Sequence, residues 1–362
     1  MAINKITIQQ FLELAEHYPV LDVRSPAEFD HAHIPAAFSL PIFSDDERRI
    51  VGTTYKQQSR GAAIKAGLDL FGNKMSGIID QAEKILTSHK SQGKKKIAKP
   101  YTEQQTQTVL IHCWRGGMRS AGIAWLLDLY GFTVYTLTGG YKAYRKLVLE
   151  QFDKDYSLNI VGGYTGSGKT EIIKDIIKSG QHGIDLEGIA NHKGSAFGAL
   201  GQLPQPTQEM FENILAGALT KHSGHLCWLE DESQRIGSLN IPNNFWKTMR
   251  SKPVYFINIP YALRLDYIVK AYGKHDKEKM VNSIIRIQKR LGPLETKTAI
   301  GFLLEDDFSR CFDILLKYYD KQYVKALYNR ENIDGLLIKI DCSTVDHIFN
   351  TEKLLACATV NV

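Results

Sequence analysis

The first residues with evident chemistry are a cysteine followed by glycines and arginines, His-Cys-Trp-Arg-Gly-Gly-Met-Arg-Ser at 112–120. An apolar stretch precedes them and helical spacing follows, which predicts a strand, a loop and a helix. The backbone N–H groups of such a loop and the helix N-terminus attract anions and lower the pKa of a thiol. With Arg115 and Arg119 nearby, we expect Cys113 to be a solvent-reachable nucleophilic thiolate beside a site for a tetrahedral anion.

A second loop, Gly-Tyr-Thr-Gly-Ser-Gly-Lys-Thr at 163–170, fits the GxxxxGK[ST] pattern in full. A predicted strand precedes it and an amphipathic stretch follows, which is the context this pattern requires. Its backbone N–H groups would wrap a diphosphate, the lysine would neutralise outer oxygens and the threonine hydroxyl would hold Mg²⁺. The expected phosphate-binding residues are Gly163, Gly166, Ser167, Gly168, Lys169 and Thr170.

Acidic residues end the apolar stretch HLCWLEDE at 225–232. Such a strand end often helps to hold Mg²⁺ through water, so Glu230 and Asp231 are candidate metal residues together with Thr170. The sequence contains no NKxD guanine reader and no specific adenine reader. The loop at 163–170 therefore indicates a diphosphate more firmly than ATP, and ATP is not required.

Both loops need strands and helices to position them. Apolar stretches alternate with helical ones along the chain, which predicts parallel sheets covered by helices. The predicted strands are residues 20–24, 108–113, 133–140, 157–163, 225–232, 253–260 and 335–342. We predict an α/β protein of two parallel-sheet domains, 1–150 and 151–362, with a mostly helical region near 262–330 in the second.

Residues 44–107 interrupt the alternation in the first domain. They are polar, have helical spacing near 62–70 and 78–86, and end in a cluster of lysines around Lys94, Lys95 and Lys96. Such an insertion is either a solvated loop or a basic arm that binds phosphates, and both interpretations stay open.

Composition limits the class of protein. The 362 residues suffice for two or three domains with buried cores, and a net charge of 45 − 39 = +6 permits a polyanionic partner without requiring one. We expect no membrane-spanning helix and no secretion signal. The five cysteines are scattered and contain no CxxC pair, so they suggest neither a disulfide framework nor a zinc knuckle, and a reducing cytoplasm is the expected location.

Three segments resemble rhodanese-like domains in the right order. They are residues 22–29 with 33–37, the loop at 112–120 and the Leu-Thr-Gly-Gly-Tyr segment at 137–141. The His-Cys-x5-Arg-Ser spacing also fits the phosphate loop of cysteine-dependent phosphatases, and rhodanese loops are commonly one residue shorter. A phosphatase or sulfurtransferase with a nucleotide-binding P-loop domain therefore stays open as the alternative.

The whole chain is similar to the tRNA 2-selenouridine synthase family. CWRGGMRS, GGYTGSGKT, DLEGIANHKGSAFG and EDESQRIG occur in that order. The resemblance implies action on 2-thiouridine at the wobble position of tRNA, with S-geranylation from geranyl diphosphate and then selenium replacement from selenophosphate. It also implies that Cys113 is the essential cysteine and 163–170 the phosphate loop. A selenophosphate-producing enzyme is a further expected partner.

Each loop suits one of these substrates. Alkylation makes the thiocarbonyl sulfur a good leaving group. A loop that binds diphosphate suits geranyl diphosphate, which assigns this donor to the loop at 163–170. A cysteine loop that binds tetrahedral anions suits selenophosphate, which assigns this donor to the Cys113 loop. Cys113 would take up selenium or attack its donor, while Arg115 and Arg119 hold phosphate oxygens; attack on the thiouridine carbon is the alternative. Candidate walls of a geranyl pocket are Tyr164, Phe197, Phe211 and Trp228. Candidate RNA contacts are Lys94, Lys95, Lys96, Arg286, Lys289 and Arg290.

Overall fold

The computed structural model describes residues 4–91, 107–273 and 275–360. The chain divides into two compact units, Met1–Glu150 and Gln151–Val362, and each contains a five-stranded parallel sheet with helices. The predicted α/β class is confirmed. In the described part of the chain, no helix combines the length and apolarity needed to cross a bilayer.

The first unit is built on a sheet with strand order β1-β5-β4-β2-β3. Its elements are β1 (Asn4–Ile6), α1 (Ile8–Ala15), β2 (Val20–Asp22), α2 (Pro26–His31), β3 (Phe38–Ser39), α3 (Asp45–Gln57), α4 (Arg60–Gly72), α5 (Met75–Ser91), β4 (Thr108–His112), α6 (Met118–Tyr130), β5 (Thr133–Leu137) and α7 (Gly140–Gln151). All pairs in this sheet are parallel. The central strand β4 delivers Cys113 to the carboxyl edge, where ligand sites of parallel sheets usually lie.

The described part of the insertion at 44–107 consists of three packed helices. The helical stretches predicted near 62–70 and 78–86 are confirmed as α4 and α5, whereas α3 was not predicted. Side chains such as Phe71 and Ile78 of these helices join the buried core of the unit. Lys94, Lys95 and Lys96 lie outside the described residues, so the choice between a solvated loop and a basic arm stays a prediction.

The second unit has a sheet with strand order β12-β11-β6-β8-β7, and every pair is parallel. Its elements are β6 (Leu158–Gly163), α8 (Lys169–Lys178), β7 (Gly183–Ile184), α9 (Leu186–Ala190), α10 (Gln208–Lys221), β8 (Cys227–Glu230), β9 (Arg235–Ile236), β10 (Leu239–Asn240), α11 (Asn243–Arg250), β11 (Val254–Asn258), α12 (Tyr261–Tyr272), α13 (Lys277–Leu291), α14 (Pro293–Leu304), α15 (Phe308–Leu327), α16 (Ile333–Leu336), β12 (Leu337–Asp341) and α17 (His347–Val360). Because β6 is central, it places the loop at 163–170 in the middle of the carboxyl edge.

The predicted helical region near 262–330 is confirmed as α12 to α15, inserted between β11 and β12. These helices have an apolar core of their own, which includes Met280, Leu303 and Phe312. A separate core lies against the sheet and contains Ile172, Trp228 and other side chains. The helical region thus forms a second wall that can position groups around the loop after β6.

Candidate active sites

The loop after β4 surrounds the sulfur of Cys113 with hydrogen-bond donors. Backbone N–H groups of Arg115, Gly117 and Ser120 are hydrogen-bonded to the sulfur, and Ser120 Oγ lies 3.2 Å from Sγ. Burial raises the pKa of Cys113, but these hydrogen bonds outweigh burial, and the pKa lies below the ordinary thiol value of 9.0. Cys113 is therefore suited to react as a thiolate.

The predicted stabilisation by loop amides agrees with these contacts, whereas the predictions that the thiol is open to solvent and that arginines stabilise it are wrong. Only 3% of the Cys113 surface is exposed, because the loop folds over the sulfur and turns its amides inward. The Arg119 guanidinium donates to the Glu28 carboxylate at 2.6 Å, and Arg115 is exposed. The charge on sulfur is thus stabilised by amides rather than guanidinium groups, and the phosphate-holding role of the arginines stays a prediction.

Two glycines let a second turn close over the cysteine loop. Gly116 and Gly140 have φ angles of +64° and +60°, in the left-handed region that favours glycine. The N–H of Tyr141 donates to the carbonyl oxygen of Cys113 at 2.8 Å. A Cβ atom on Gly140 would overlap that oxygen and lie 2.5 Å from the Gly116 nitrogen. The Gly-Gly-Tyr segment is therefore a structural support of the loop.

A buried polar network lies beneath the loop. Arg24 is 1% exposed, donates to Asp22 at 2.6 Å and stacks 3.9 Å above the ring of Tyr141. Burial lowers the pKa of His112 to about 4, so this imidazole is neutral at physiological pH. The Val23 N–H donates to the His112 carbonyl at 3.0 Å, so the Asp-Val-Arg sequence at 22–24 positions the end of β4.

The loop after β6 presents unpaired donors. Gly166 and Gly168 have φ angles of +82° and +75°. Their N–H groups have no hydrogen-bond partner in the described chain, whereas the Ser167 N–H donates to the Tyr164 carbonyl at 3.1 Å. The Ser167 hydroxyl is also buried without a partner among the described residues. This arrangement at the start of α8 suits ligand oxyanions.

Side chains from the helical region fix the shape of this loop. The Gly163 N–H donates to the Tyr323 hydroxyl at 3.0 Å, and Arg264 donates to the Thr165 carbonyl at 3.0 Å while it is paired with Asp320. Lys169 Nζ donates to the Gly163 carbonyl at 3.0 Å. The sequence pattern did not reveal Arg264 or Tyr323, because both lie about 100 residues or more away in α12 and α15.

The acidic residues around Thr170 are not those predicted. The Thr170 hydroxyl is hydrogen-bonded to the Glu187 carboxylate, and that carboxylate is hydrogen-bonded to Glu232. Burial raises the pKa of both carboxyl groups. Glu187 follows the two-residue strand β7, which was too short to be recognised in the sequence.

The two predicted acidic residues have other partners. Asp231 is ion-paired with Arg330 and accepts a hydrogen bond from Tyr323 at 2.7 Å. Glu230 is fully buried and accepts from the Leu186 N–H at 3.0 Å. Burial raises the pKa of Glu230 well above its ordinary value. The structure therefore places Glu187 next to Thr170. Glu230 and Asp231, at the end of β8, are bonded to other groups of the protein instead.

The remaining predicted residues are dispersed over the second unit. Arg286, Lys289 and Arg290 are exposed on α13. Tyr164 packs against Phe256 and Tyr323. Phe197, Phe211 and Trp228 are all buried; Phe197 lines a small cavity with Ile268 and Phe312, and that cavity does not include Phe211 or Trp228.

These loops and the sheets that carry them define a protein with a rhodanese-like domain followed by a P-loop domain. The rhodanese-like domain model matches residues 7–147, and the tRNA 2-selenouridine synthase AAA domain model matches residues 156–353. The tRNA 2-selenouridine synthase of Shewanella piezotolerans is 36% identical, with 89% of this chain and 93% of that protein covered. Those of Nitrosomonas europaea and Chromohalobacter salexigens are 34% and 33% identical, covering 82% and 84% of this chain and 73% and 87% of those proteins. The chain belongs to the tRNA 2-selenouridine synthase family.

Proposed function

We propose that this protein is an enzyme that acts on tRNA and replaces the sulfur of wobble 2-thiouridine with selenium in two steps. The observation that supports this proposal is the presence of two different anion-binding loops in one family member. One loop holds a cysteine of lowered pKa, and the other has unpaired amides beside a lysine. A nucleophile and a diphosphate-binding loop are what alkylation followed by sulfur displacement requires.

In the first step, the thiouridine sulfur attacks the first carbon of geranyl diphosphate. The carbon–oxygen bond breaks, diphosphate leaves, and the base loses its N3 proton. The N–H groups of Gly166 and Gly168 and the Lys169 ammonium would stabilise the negative charge that develops on the diphosphate. A leaving group is best stabilised by donors that are already in place, as the positions of these loop residues allow.

Mg²⁺ would add charge neutralisation to this step. Divalent magnesium is usually held by one or two carboxylates together with substrate phosphate oxygens. The Thr170 hydroxyl and the Glu187 carboxylate fit this role, whereas Asp231 is occupied by Arg330. Among the described residues, no group of three or more acidic, histidine or cysteine side chains is arranged for a metal, so diphosphate oxygens would complete the coordination.

In the second step, the Cys113 loop would use selenophosphate. Attack of the Cys113 thiolate on phosphorus breaks the phosphorus–selenium bond, and selenide leaves with the bonding electrons. Selenide then adds to C2 of the alkylated base, geranylthiol departs, and water removes the phosphoryl group from sulfur. Arg115 would bind phosphate oxygens, joined by Arg119 once its ion pair with Glu28 opens. In one competing route the thiolate attacks selenium instead, phosphite leaves with the electron pair of the phosphorus–selenium bond, and Cys113 carries a perselenide. In the other route the thiolate adds to C2 of the alkylated base and geranylthiol departs.

The test is incubation of the protein with 2-thiouridine tRNA, geranyl diphosphate and selenophosphate, followed by mass spectrometry of nucleosides and of intact protein. We expect S-geranyl-2-thiouridine with the first donor alone and 2-selenouridine when both are present. A phosphoryl group on Cys113 supports phosphorus attack, selenium on Cys113 supports transfer, and a protein–RNA adduct supports base attack. Phosphoester hydrolysis without any change in the RNA would contradict the proposed function.

A further inference from the structure

The outer side of the cysteine loop is exposed, although its inner side encloses the sulfur. Cys113 is buried, whereas Trp114, Arg115, Gly117 and Met118, which follow it in the loop, are exposed. In the described chain, no atom beyond the neighbouring residues lies within 4 Å of a Cβ atom placed on Gly117. The outer side of the loop is therefore open to close approach by a planar group.

Trp114 is the large aromatic side chain on this outer side, and the residues beneath it fix its position. It keeps 37% of its surface exposed. The centre of its ring lies 5.7 Å from that of Tyr141, which is fully buried and stacks with Arg24 at 3.9 Å. The Trp114 carbonyl accepts a hydrogen bond from the Lys142 N–H at 3.0 Å. The indole is therefore a preorganised aromatic surface, one residue away from the nucleophile.

A cationic residue accompanies the exposed ring. The hydrogen bond from the Lys142 N–H places the start of α7 beside Trp114, and the Lys142 side chain is exposed. Proteins bind unstacked nucleotides by stacking an aromatic ring on the base while a nearby cation contacts the phosphate backbone. Trp114 and Lys142 therefore suit one nucleotide of a single-stranded RNA segment.

The proposed second step requires a base at this position. Selenide is released beside Cys113 and has to add to C2 of the alkylated base before it diffuses away. Two reactants that are held side by side react as if in one molecule, which removes the need for a second encounter. Because the Cα atoms of Cys113 and Trp114 are only about 3.8 Å apart, a base on the indole would be next to the place of release.

We propose that Trp114 stacks on the alkylated wobble base and that Lys142 binds an adjacent phosphate during the second step. The inference rests on the proposed function, because it takes Cys113 as the place where selenide is formed. A wobble base belongs to a single-stranded loop, whose bases can turn outward and stack on aromatic side chains. The outer side of the cysteine loop is thus the RNA-binding surface for the selenium step.

The first test removes the aromatic ring. In Trp114→Ala, kcat/KM for conversion of S-geranyl-2-thiouridine tRNA should fall about 10- to 100-fold, as expected when one base–aromatic stack is lost. Trp114→Phe keeps a ring and should recover most of the activity, and S-geranylation by Trp114→Ala should stay normal. Trp125→Ala is the matched control, because Trp125 is similarly exposed (42%) but lies two turns further along α6. Its kcat/KM should equal that of the unmodified protein.

The second test separates RNA binding from the integrity of the loop. The rate of Cys113 alkylation as a function of pH should be the same in Trp114→Ala as in the unmodified protein. If that profile changes, Lys142→Ala decides the matter, because its backbone N–H still holds the Trp114 carbonyl. Lys142→Ala should reduce the salt dependence of the KM for tRNA by a slope of about 0.7, with normal alkylation. An unchanged slope would then overturn the assignment.

The outcomes keep the two proposals apart. If the unmodified protein forms 2-selenouridine and Trp114→Ala retains its kcat/KM, the role of Trp114 is overturned alone. Equal losses in the alkylation and selenium steps would also contradict it, because the contact would not belong to the second step. A defect that disappears with tRNA carrying S-methyl-2-thiouridine would show that Trp114 binds the geranyl chain instead of the base. An unmodified protein that forms no 2-selenouridine would contradict the proposed function.

Discussion

The loops after β4 and β6 share one plan but use it differently. Each follows the central strand of a parallel sheet, contains at least one glycine with positive φ and leads into a helix. In the first loop, three amides are hydrogen-bonded to the sulfur of Cys113. In the second, the Gly166 and Gly168 amides have no partner in the described chain, and Lys169 binds a carbonyl of its own loop.

This difference shows how one backbone arrangement supports two kinds of chemistry. Amides directed at a side chain stabilise a charge that belongs to the protein, which activates a nucleophile. Amides left unpaired stabilise a charge brought by a ligand, which favours binding and departure of a phosphate group. The following predictions test whether the two loops divide the work in this way.

The largest effect is expected for Cys113→Ala. Without the thiolate, formation of 2-selenouridine should fall by at least about 10³-fold, while S-geranylation stays normal. Nucleoside mass spectrometry measures both products. Cys342→Ala is the control, because Cys342 is also buried but lies beyond the end of β12, and selenium incorporation should persist. Normal selenium incorporation by Cys113→Ala would show that Cys113 is not the nucleophile.

Lys169→Ala should produce the complementary defect. Loss of the charge that stabilises the diphosphate should slow S-geranylation about 10²–10³-fold. Conversion of tRNA that already carries S-geranyl-2-thiouridine should remain at the unmodified rate. Stopped reactions analysed for both nucleosides give the two rates, and an unaffected first step would show that the diphosphate binds elsewhere.

Gly140→Ala tests whether the second turn supports the cysteine loop. The left-handed backbone and the overlap with the Cys113 carbonyl should destabilise the first unit by about 2 kcal/mol or more. Denaturant unfolding measures this change. Gly117→Ala, in the same loop, is the control because no atom lies within 4 Å of the added Cβ. Equal stability of the two variants would contradict the supporting role.

The pH dependence of thiol reactivity tests the charge on sulfur. The pKa of Cys113 lies below 9.0, so its alkylation rate should rise with pH and level off earlier than that of an ordinary thiol. The Ser120 hydroxyl lies 3.2 Å from the sulfur and 3.0 Å from the Gly117 carbonyl. If it donates to sulfur, Ser120→Ala should slow alkylation about 10-fold at neutral pH, but not at high pH. An unchanged pH–rate profile in Ser120→Ala would indicate that the Ser120 hydroxyl donates to the Gly117 carbonyl instead of to the sulfur.

The smallest effect is expected on α13. Arg286, Lys289 and Arg290 are three and four residues apart on one exposed helix face. If they contact tRNA phosphates, replacement of all three with alanine should weaken binding several-fold and reduce its salt dependence, with a slope change of about 0.7–0.9 per lost contact. A tRNA titration at several salt concentrations provides the slope. An unchanged slope would exclude these residues from the RNA interface.

Local patterns were sufficient to predict both loops and most of the strands. The apolar stretches around Cys113 and Lys169 belong to strand–loop–helix units that lie within one continuous segment. Their periodicity and their glycines can therefore be recognised from the sequence alone. The helix α3 was missed despite the Ser44-x-x-Glu47 capping box at its start, because its interior is polar. The two-residue strands β3, β7, β9 and β10 are too short to show any periodicity.

The residues missed around the sites depend on contacts between distant segments. Glu187 reaches Thr170 only because β7 joins the sheet beside β8. Arg264 and Tyr323 reach the phosphate loop only because α12 and α15 pack beside it. The direction of the amides around Cys113, which decides its exposure and its pKa, depends on the turn at Gly140. No spacing rule within one segment contains this information.

The central claim is that the two loops perform successive steps, and a serial experiment with the two deficient variants tests it most directly. Thiolated tRNA is incubated with Cys113→Ala and geranyl diphosphate, purified, and then given to Lys169→Ala with selenophosphate. The division of work predicts S-geranyl-2-thiouridine after the first incubation and 2-selenouridine after the second. No alkylation by the first variant, or no selenium incorporation by the second, would contradict the account.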